Sequence, residues 1–159
     1  MKKVILLSMA VAAIFTACST NKEESSDAVK DNALTQEMSA DIRGRWYLEN
    51  IVSGDSVNVR PSEEVPGVRQ YITFGDDSTF HIQTNCNSIS GGYEQKGDSI
   101  ILGAGIMTEM ACDNMATEDA LRKILPDIVT LEMQNDSVMR LNTTVPSEYI
   151  VLIKANDKK

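Results

Sequence analysis

Few residues of this chain belong to types that do chemistry, and their spacing narrows the options further. His81 is the single histidine. It stands between Phe80 and Ile82 in an alternating stretch, where a strand residue at or near the surface is the plainer reading than a general base. Hydrolysis would need a nucleophile beside such a base. No Gly-x-Ser-x-Gly elbow, phosphate-cradling glycine loop or paired-cysteine zinc spacing occurs in the sequence. Met107, Met110, Cys112 and Met115 fall within nine residues, and soft sulfur ligands of this kind would suit Cu(I). Methionine more often fills irregular core gaps, however, and a bond from Cys112 to Cys86 would remove the thiolate. Asp76-Asp77 reads as a solvated turn. The expectation is a protein that is not an enzyme and carries no metal and no cofactor.

The amino terminus points to a place in the cell. Lys2-Lys3 precede an apolar run of about 12 residues, Val4 to Phe15, which has the layout of a secretory signal and is too short to span a bilayer, which takes roughly 20. Phe15-Thr16-Ala17-Cys18 resembles the lipobox of bacterial lipoproteins. That resemblance implies cleavage after residue 17, with Cys18 acylated as the first residue of the mature chain and palmitate among its chains. Two or more acyl chains anchor stably. Loss of the two lysines takes the 15 basic residues to 13, against 23 acidic ones. Such an acidic chain disfavours nucleic acid, which requires a basic face. It also leaves membrane attachment to the lipid rather than to charge. Of three cysteines, Cys86 and Cys112 then remain, an even pair in an oxidising compartment. They are either a disulfide or two buried free thiols.

Residues 19–40 are rich in Ser, Asn, Asp, Glu and Lys and cannot bury enough apolar surface to offset ordering entropy, so they read as a flexible tether. Within them, Lys22-Glu23-Glu24 resembles the short charged signal that exports some Bacteroidetes lipoproteins to the cell surface. An ordinary solvated charge run is the alternative, and the face of the outer membrane is left open. The domain boundaries are 1–17 for the signal, 18–40 for the lipidated cysteine and tether, and 41–155 for the folded part.

Beyond Arg43 the pattern turns to short alternating strands: 45–52, with Trp46 and Leu48 on one face, then 70–74, 79–83, 99–102, 128–133, 137–141 and 149–153. Gly-Asp or Asn-Asp before Ser at 54–56, 97–99 and 135–137 offers the positive φ angles that tight hairpins use. Repeated hairpins at this spacing predict an antiparallel meander. One helix interrupts them. Thr117 can cap it, Glu118 and Asp119 complement its dipole, Leu121, Ile124, Leu125 and Ile128 form its apolar stripe, and Pro126 ends it. It is expected to cover an opening of the sheet. The fold class is mainly β (α+β), a small curved antiparallel sheet or barrel-like meander with one helix.

Cys86-Asn87-Ser88-Ile89-Ser90-Gly91-Gly92-Tyr93 and Thr108-Glu109-Met110-Ala111-Cys112, in that order, resemble the two signature segments of the META domain (HslJ-like) family, Gly-Cys-Asn-x-x-x-Gly-x-Tyr and Thr-x-Met-Ala-Cys. The resemblance runs from about Arg43 to Ile153 and fits a lipoprotein of a Bacteroidetes-type bacterium. Thr84-Asn85 stand before the first cysteine, where the family usually has a glycine. The resemblance implies a small barrel-like sheet with a helix, in envelope or secreted proteins linked to stress tolerance, with no catalytic activity. Of the motif residues, Asn87, Gly91 and Gly92 are expected to shape a tight turn, and Tyr93 to bury its ring with its hydroxyl on a local partner. Thr108 and Met110 belong to the same motif, structural or binding. The expected protein is a lipid-anchored envelope module whose partner is an envelope protein or, alternatively, a small hydrophobic ligand held within the barrel.

Overall fold

Alternation of buried and outward residues, the period of a strand, sets the architecture. The computed structural model describes residues 39–54 and 57–156; the expected signal peptide, Cys18 and the tether up to residue 38 lie outside the described residues. The strands are β1 (Gly44–Ser53), β2 (Val57–Val59), β3 (Tyr71–Phe74), β4 (Thr79–Gln83), β5 (Ser88–Lys96), β6 (Ser99–Leu102), β7 (Ile106–Met107), β8 (Ile128–Asn135), β9 (Val138–Thr143) and β10 (Tyr149–Lys154). They run in the order β10-β9-β8-β6-β5-β4-β3-β1, and β1 pairs again with β10. Eight antiparallel strands therefore close into a barrel, the size whose interior side chains can fill. β2 extends the end of β1 and β7 adds to β5. The meander is as expected, and closure leaves these eight strands without a free edge except where pairing lapses.

Inward positions belong to Trp46, Leu48, Ile51, Ile72, Phe74, Phe80, Ile82, Ile100, Met139, Leu141, Ile150 and Leu152, all at most 5 % exposed. The Trp46 indole N–H donates to the Ile42 carbonyl at 2.7 Å, so the largest core side chain leaves no polar atom unpaired. Two steps in this pattern are three residues long rather than two, Leu48 to Ile51 and Ile128 to Leu131. Each coincides with a register shift, between Leu48 and Asn50 and between Ile128 and Thr130. One extra residue restores the inward face after a bulge, and bulges bend a sheet toward closure.

The main helix, α2 (Ala116–Ile124), buries Thr117, Glu118, Ala120, Leu121 and Ile124 and passes into a 3-10 turn, Leu125–Asp127, that contains Pro126. It packs across the ends of β1 and β2. A second, short helix, α1 (Pro61–Glu64), was not expected; Pro61 at its start and Glu63 and Glu64 in its first turn are the matching local cues.

Three local expectations are corrected. Thr117 does not cap α2: it lies inside the first turn, with Met115 at the cap position, and its N–H donates to the Glu64 carboxylate at 3.2 Å. Gly91 and Gly92 lie in β5, not in a turn. A Cβ on Gly91 would stand 2.8 Å from the Phe80 ring, so this glycine serves close packing of a core aromatic. Among the hairpin turns, Gly54 and Gly97 do take positive φ, but no residue of 135–137 does. There Asn135 Oδ1 accepts the Ser137 N–H at 2.9 Å, an Asx turn that needs no left-handed residue.

Candidate functional site

The two motif segments meet at one end of the barrel. Cys86 and Cys112 form a disulfide with a Cα–Cα distance of 6.2 Å, which resolves the alternative in favour of a bond and removes the thiolate a copper site would have used. Beside it, the Asn87 carboxamide is buried and uses both ends. Its Oδ1 accepts from Thr108 Oγ1 and from the Met110 N–H, each at 2.8 Å. Its Nδ2 donates to the Met110 carbonyl at 2.9 Å and to Glu118 Oε2 at 2.8 Å. A single side chain thus ties the loop after β4, the loop after β7 and helix α2 together. The Thr108 hydroxyl oxygen also accepts the Ser88 N–H at 3.0 Å.

Glu118 is fully buried and pairs with Arg122 Nη2 at 3.0 Å, while the Arg122 side chain stays 43 % exposed. A buried carboxylate is tolerable only when paired and hydrogen-bonded, and here Asn87 and Arg122 share that task. Sequence reasoning gave Glu118 only a dipole role. The missed cue is its spacing: 118, 121 and 125 follow the stripe of a buried face, so an acid there demands an inward partner. Glu64 and Gln70 were missed too. Gln70, 2 % exposed, reaches the Pro61 carbonyl and Thr117 Oγ1 at 3.3 and 3.4 Å and links α1 to α2.

Where the family glycine is replaced by Thr84-Asn85, the turn is rebuilt from side chains. Thr84 Oγ1 accepts the Asn87 N–H at 2.8 Å and donates to the Asn87 carbonyl at 2.7 Å. Asn85 Nδ2 donates to the Asn114 carbonyl at 2.8 Å. Tyr93 is half-buried rather than buried: its ring meets Phe74 edge-on at 5.1 Å, its hydroxyl donates to the Gly75 carbonyl at 3.0 Å, and partial burial pushes its pKa up.

Other chemistry-bearing groups sit on the outer wall. His81 Nδ1 lies 2.8 Å from Ser90 Oγ, a cross-strand pair of directly opposed residues. Among the described residues no carboxylate is hydrogen-bonded to the other ring nitrogen, as a triad would require. Asp76 and Asp77 occupy a turn. Arg43 bridges Asp76 at 3.2 Å and Asp41 at 2.7 Å, and its hydrogen bonds hold the Asp41 carboxyl down at about 2. An open groove of about 930 Å3 runs past Arg43, Asp76, Tyr93, Glu94 and Ile101, but Arg43, its only arginine, already bridges these two acids. Large apolar side chains are more conspicuous. Ile106 is 84 % exposed, Ile101 61 % and Met110 58 %.

A family profile described as the META domain matches residues 36–156. The chain belongs to the META domain family. The signature residues of this META chain are thereby accounted for physically: Cys86, Asn87, Thr108, Met110 and Cys112 form one clamp, and Gly91 and Tyr93 pack with the core aromatics Phe80 and Phe74. Solved structures share the fold at low identity. A protein from Burkholderia xenovorans, solved by NMR, is 20% identical with a TM-score of 0.57, over 86% of this chain and 99% of that one. A DUF4847 family protein from Bacteroides vulgatus is 12% identical with a TM-score of 0.52, over 72% and 94%. Another NMR structure is 18% identical with a TM-score of 0.51, over 74% and 93%. No curated protein matches the chain.

Proposed function

We propose that this META-domain chain is a non-enzymatic docking lipoprotein of the bacterial cell envelope, anchored through acylated Cys18 and recruiting a partner protein in envelope maintenance or stress tolerance. The observation that carries the reading is the way Met110 is displayed. Its N–H and carbonyl are both held by Asn87 at 2.8 and 2.9 Å, inside a loop fixed by the disulfide, yet its side chain is 58 % exposed. An apolar side chain held out on an immobilised backbone loses little entropy on binding, which is what a contact surface gains from preorganisation. Ile101 and Ile106 alternate with the inward Leu102 and half-buried Met107 and so face outward from neighbouring strands along β5. Exposed large apolar side chains on one outer face supply the apolar area that an interaction surface uses.

The tether read in residues 19–40 gives such a module reach from the membrane, growing roughly as 5–6 Å × √n if flexible. A photo-crosslinking residue at position 106, in cells, tests the reading. Capture of one stoichiometric envelope protein, lost in Met110→Glu, is expected; an adduct pattern unchanged by Met110→Glu would end it. Anchoring is tested separately: labelled palmitate should enter the chain and be lost in Cys18→Ala.

The alternative, a ligand held in the centre of the barrel, meets an interior filled by Trp46, Ile51, Ile82, Met139 and Leu152 at 0 % exposure. An apolar cavity is present instead in the barrel wall.

A further inference from the structure

The barrel has a gap. β6 pairs with β8 only at Ser99 and Thr130, with one more bond from the Leu131 N–H to the Asp98 carbonyl at 2.8 Å. Pairing stops there because β8 bulges between Ile128 and Thr130, directly after the 3-10 turn with Pro126, so Val129 and Ile128 do not continue the ladder with Ile100 and Ile101. The chain between β6 and β7 follows β5 instead, so closely that a Cβ on Gly105 would stand 2.9 Å from the Ser90 carbonyl. Between this stretch and the end of α2 lies a cavity of about 520 Å3, within the ordinary range for small-ligand sites. Phe80, Ile89, Leu102, Met107 and Leu125 line it together with Arg122. Four of these apolar residues also belong to the barrel's hydrophobic core, so the cavity opens directly onto it.

We propose that this gap binds a free fatty acid, its tail against Phe80, Ile89, Leu102, Met107 and Leu125 and its carboxylate on Arg122. The inference goes beyond the docking reading and does not rest on it. Two features of the site select the ligand. The side chains lining it are apolar except for one cation, which fits a hydrocarbon chain with a single acidic head. Arg122 is also held in place: Glu118 accepts from Nη2 at 3.0 Å, and Asn87 donates to Glu118. Among the described residues this is the only ion pair or hydrogen bond of the guanidinium, and an arginine has five N–H donors in a fixed fork. Lys123, next in the chain and exposed, adds positive charge to a helix end whose dipole would otherwise disfavour an anion. The Asn87 of the family motif thereby acts at a distance as the positioning residue for the head-group ligand.

The test is a titration of the oxidised full chain with 13C-carboxyl-labelled octanoate, decanoate and dodecanoate, each below its aggregation concentration, followed by NMR. Saturable one-to-one binding is expected, tightening about fourfold per methylene until the cavity is full. Ala104→Trp, at an exposed position lining the cavity, should weaken binding at least tenfold without lowering the thermal midpoint. Arg122→Gln should weaken dodecanoate about tenfold while leaving methyl dodecanoate, which stands for an esterified lipid chain, within about threefold. Unsaturable uptake, binding undiminished by Ala104→Trp, or equal affinity of the wild type for acid and ester would overturn the proposal. Because Ala104→Trp leaves the Glu118 pair intact, the test survives even if Arg122→Gln fails to fold.

Discussion

Asn87 holds Thr108, Met110 and Glu118 at once, so its replacement should be the most damaging change in the clamp. Asn87→Ala strands the Met110 N–H and leaves Glu118 with Arg122 alone among its described side-chain partners, and each buried polar group left unpaired costs about 1–3 kcal/mol. Asn87→Asp keeps the shape but sets a second carboxyl beside Glu118, where the wild-type contact is 2.8 Å. Like charges raise carboxyl pKa values in the folded state. That variant should therefore be most stable at low pH and lose stability as pH rises through the raised value, the reverse of ordinary acid denaturation. Urea midpoints of both variants between pH 4 and 8 check this. Asp41 has the opposite sign. Arg43 holds its folded pKa at about 2, against an ordinary 3.8, so its contribution is present above pH 3.8 and disappears as pH falls toward 2. Both partners are exposed, so the shift should shrink in 1 M salt, as NMR titration of the Asp41 carboxyl would show. Such residue-level roles were only partly legible. Asn87 and Cys86 stood out by motif, but nothing local to Asn87 says that its partner is an acid 31 positions away.

Along the elements, the two adjacent glycines of β5 are not equivalent. A Cβ on Gly91 meets Phe80 at 2.8 Å and the Gly103 carbonyl at 3.1 Å, whereas one on Gly92 meets only the Ser78 carbonyl at 3.8 Å. Gly91→Ala should cost about 1–3 kcal/mol through overpacking, and Gly92→Ala should stay within about 0.5 kcal/mol. Thermal unfolding of the pair of variants distinguishes them. The outer wall carries its own order: Arg45 lies 4.5 Å from the Tyr71 ring centre, Arg69 4.7 Å from that of Tyr47 and Arg140 3.6 Å from that of Tyr149, cation–π contacts that cover the tyrosines of β1, β3 and β10. Most strands and the main helix were legible because half-burial writes a period of 2 or 3.6 into the sequence. β2 and β7, at three and two residues, are too short to carry a period. β5 was masked by its glycines and serines, which read as turn residues.

For the molecule as a whole, the disulfide matters most where the hydrogen bonds cannot act alone. Cys86 and Cys112 are 26 residues apart, and closing such a loop stabilises by roughly 3–4 kcal/mol in the chain-entropy model. Reduction should lower the urea-unfolding free energy by about that amount and release the loop that presents Met110, so crosslinking from position 106 should fall with it. The sequence by itself determined the class of fold, the pairing of the turns, the family and the candidate clamp residues, because alternation, turn chemistry and cysteine number are properties of neighbours along the chain. Closure of the meander into a barrel, the burial of Glu118 under Asn87 and the gap beside Leu102 were decided only in three dimensions. Each depends on which segments meet after the chain has folded back: β1 with β10, the two motif loops with α2, and β6 with a β8 whose bulge between Ile128 and Thr130 breaks their pairing.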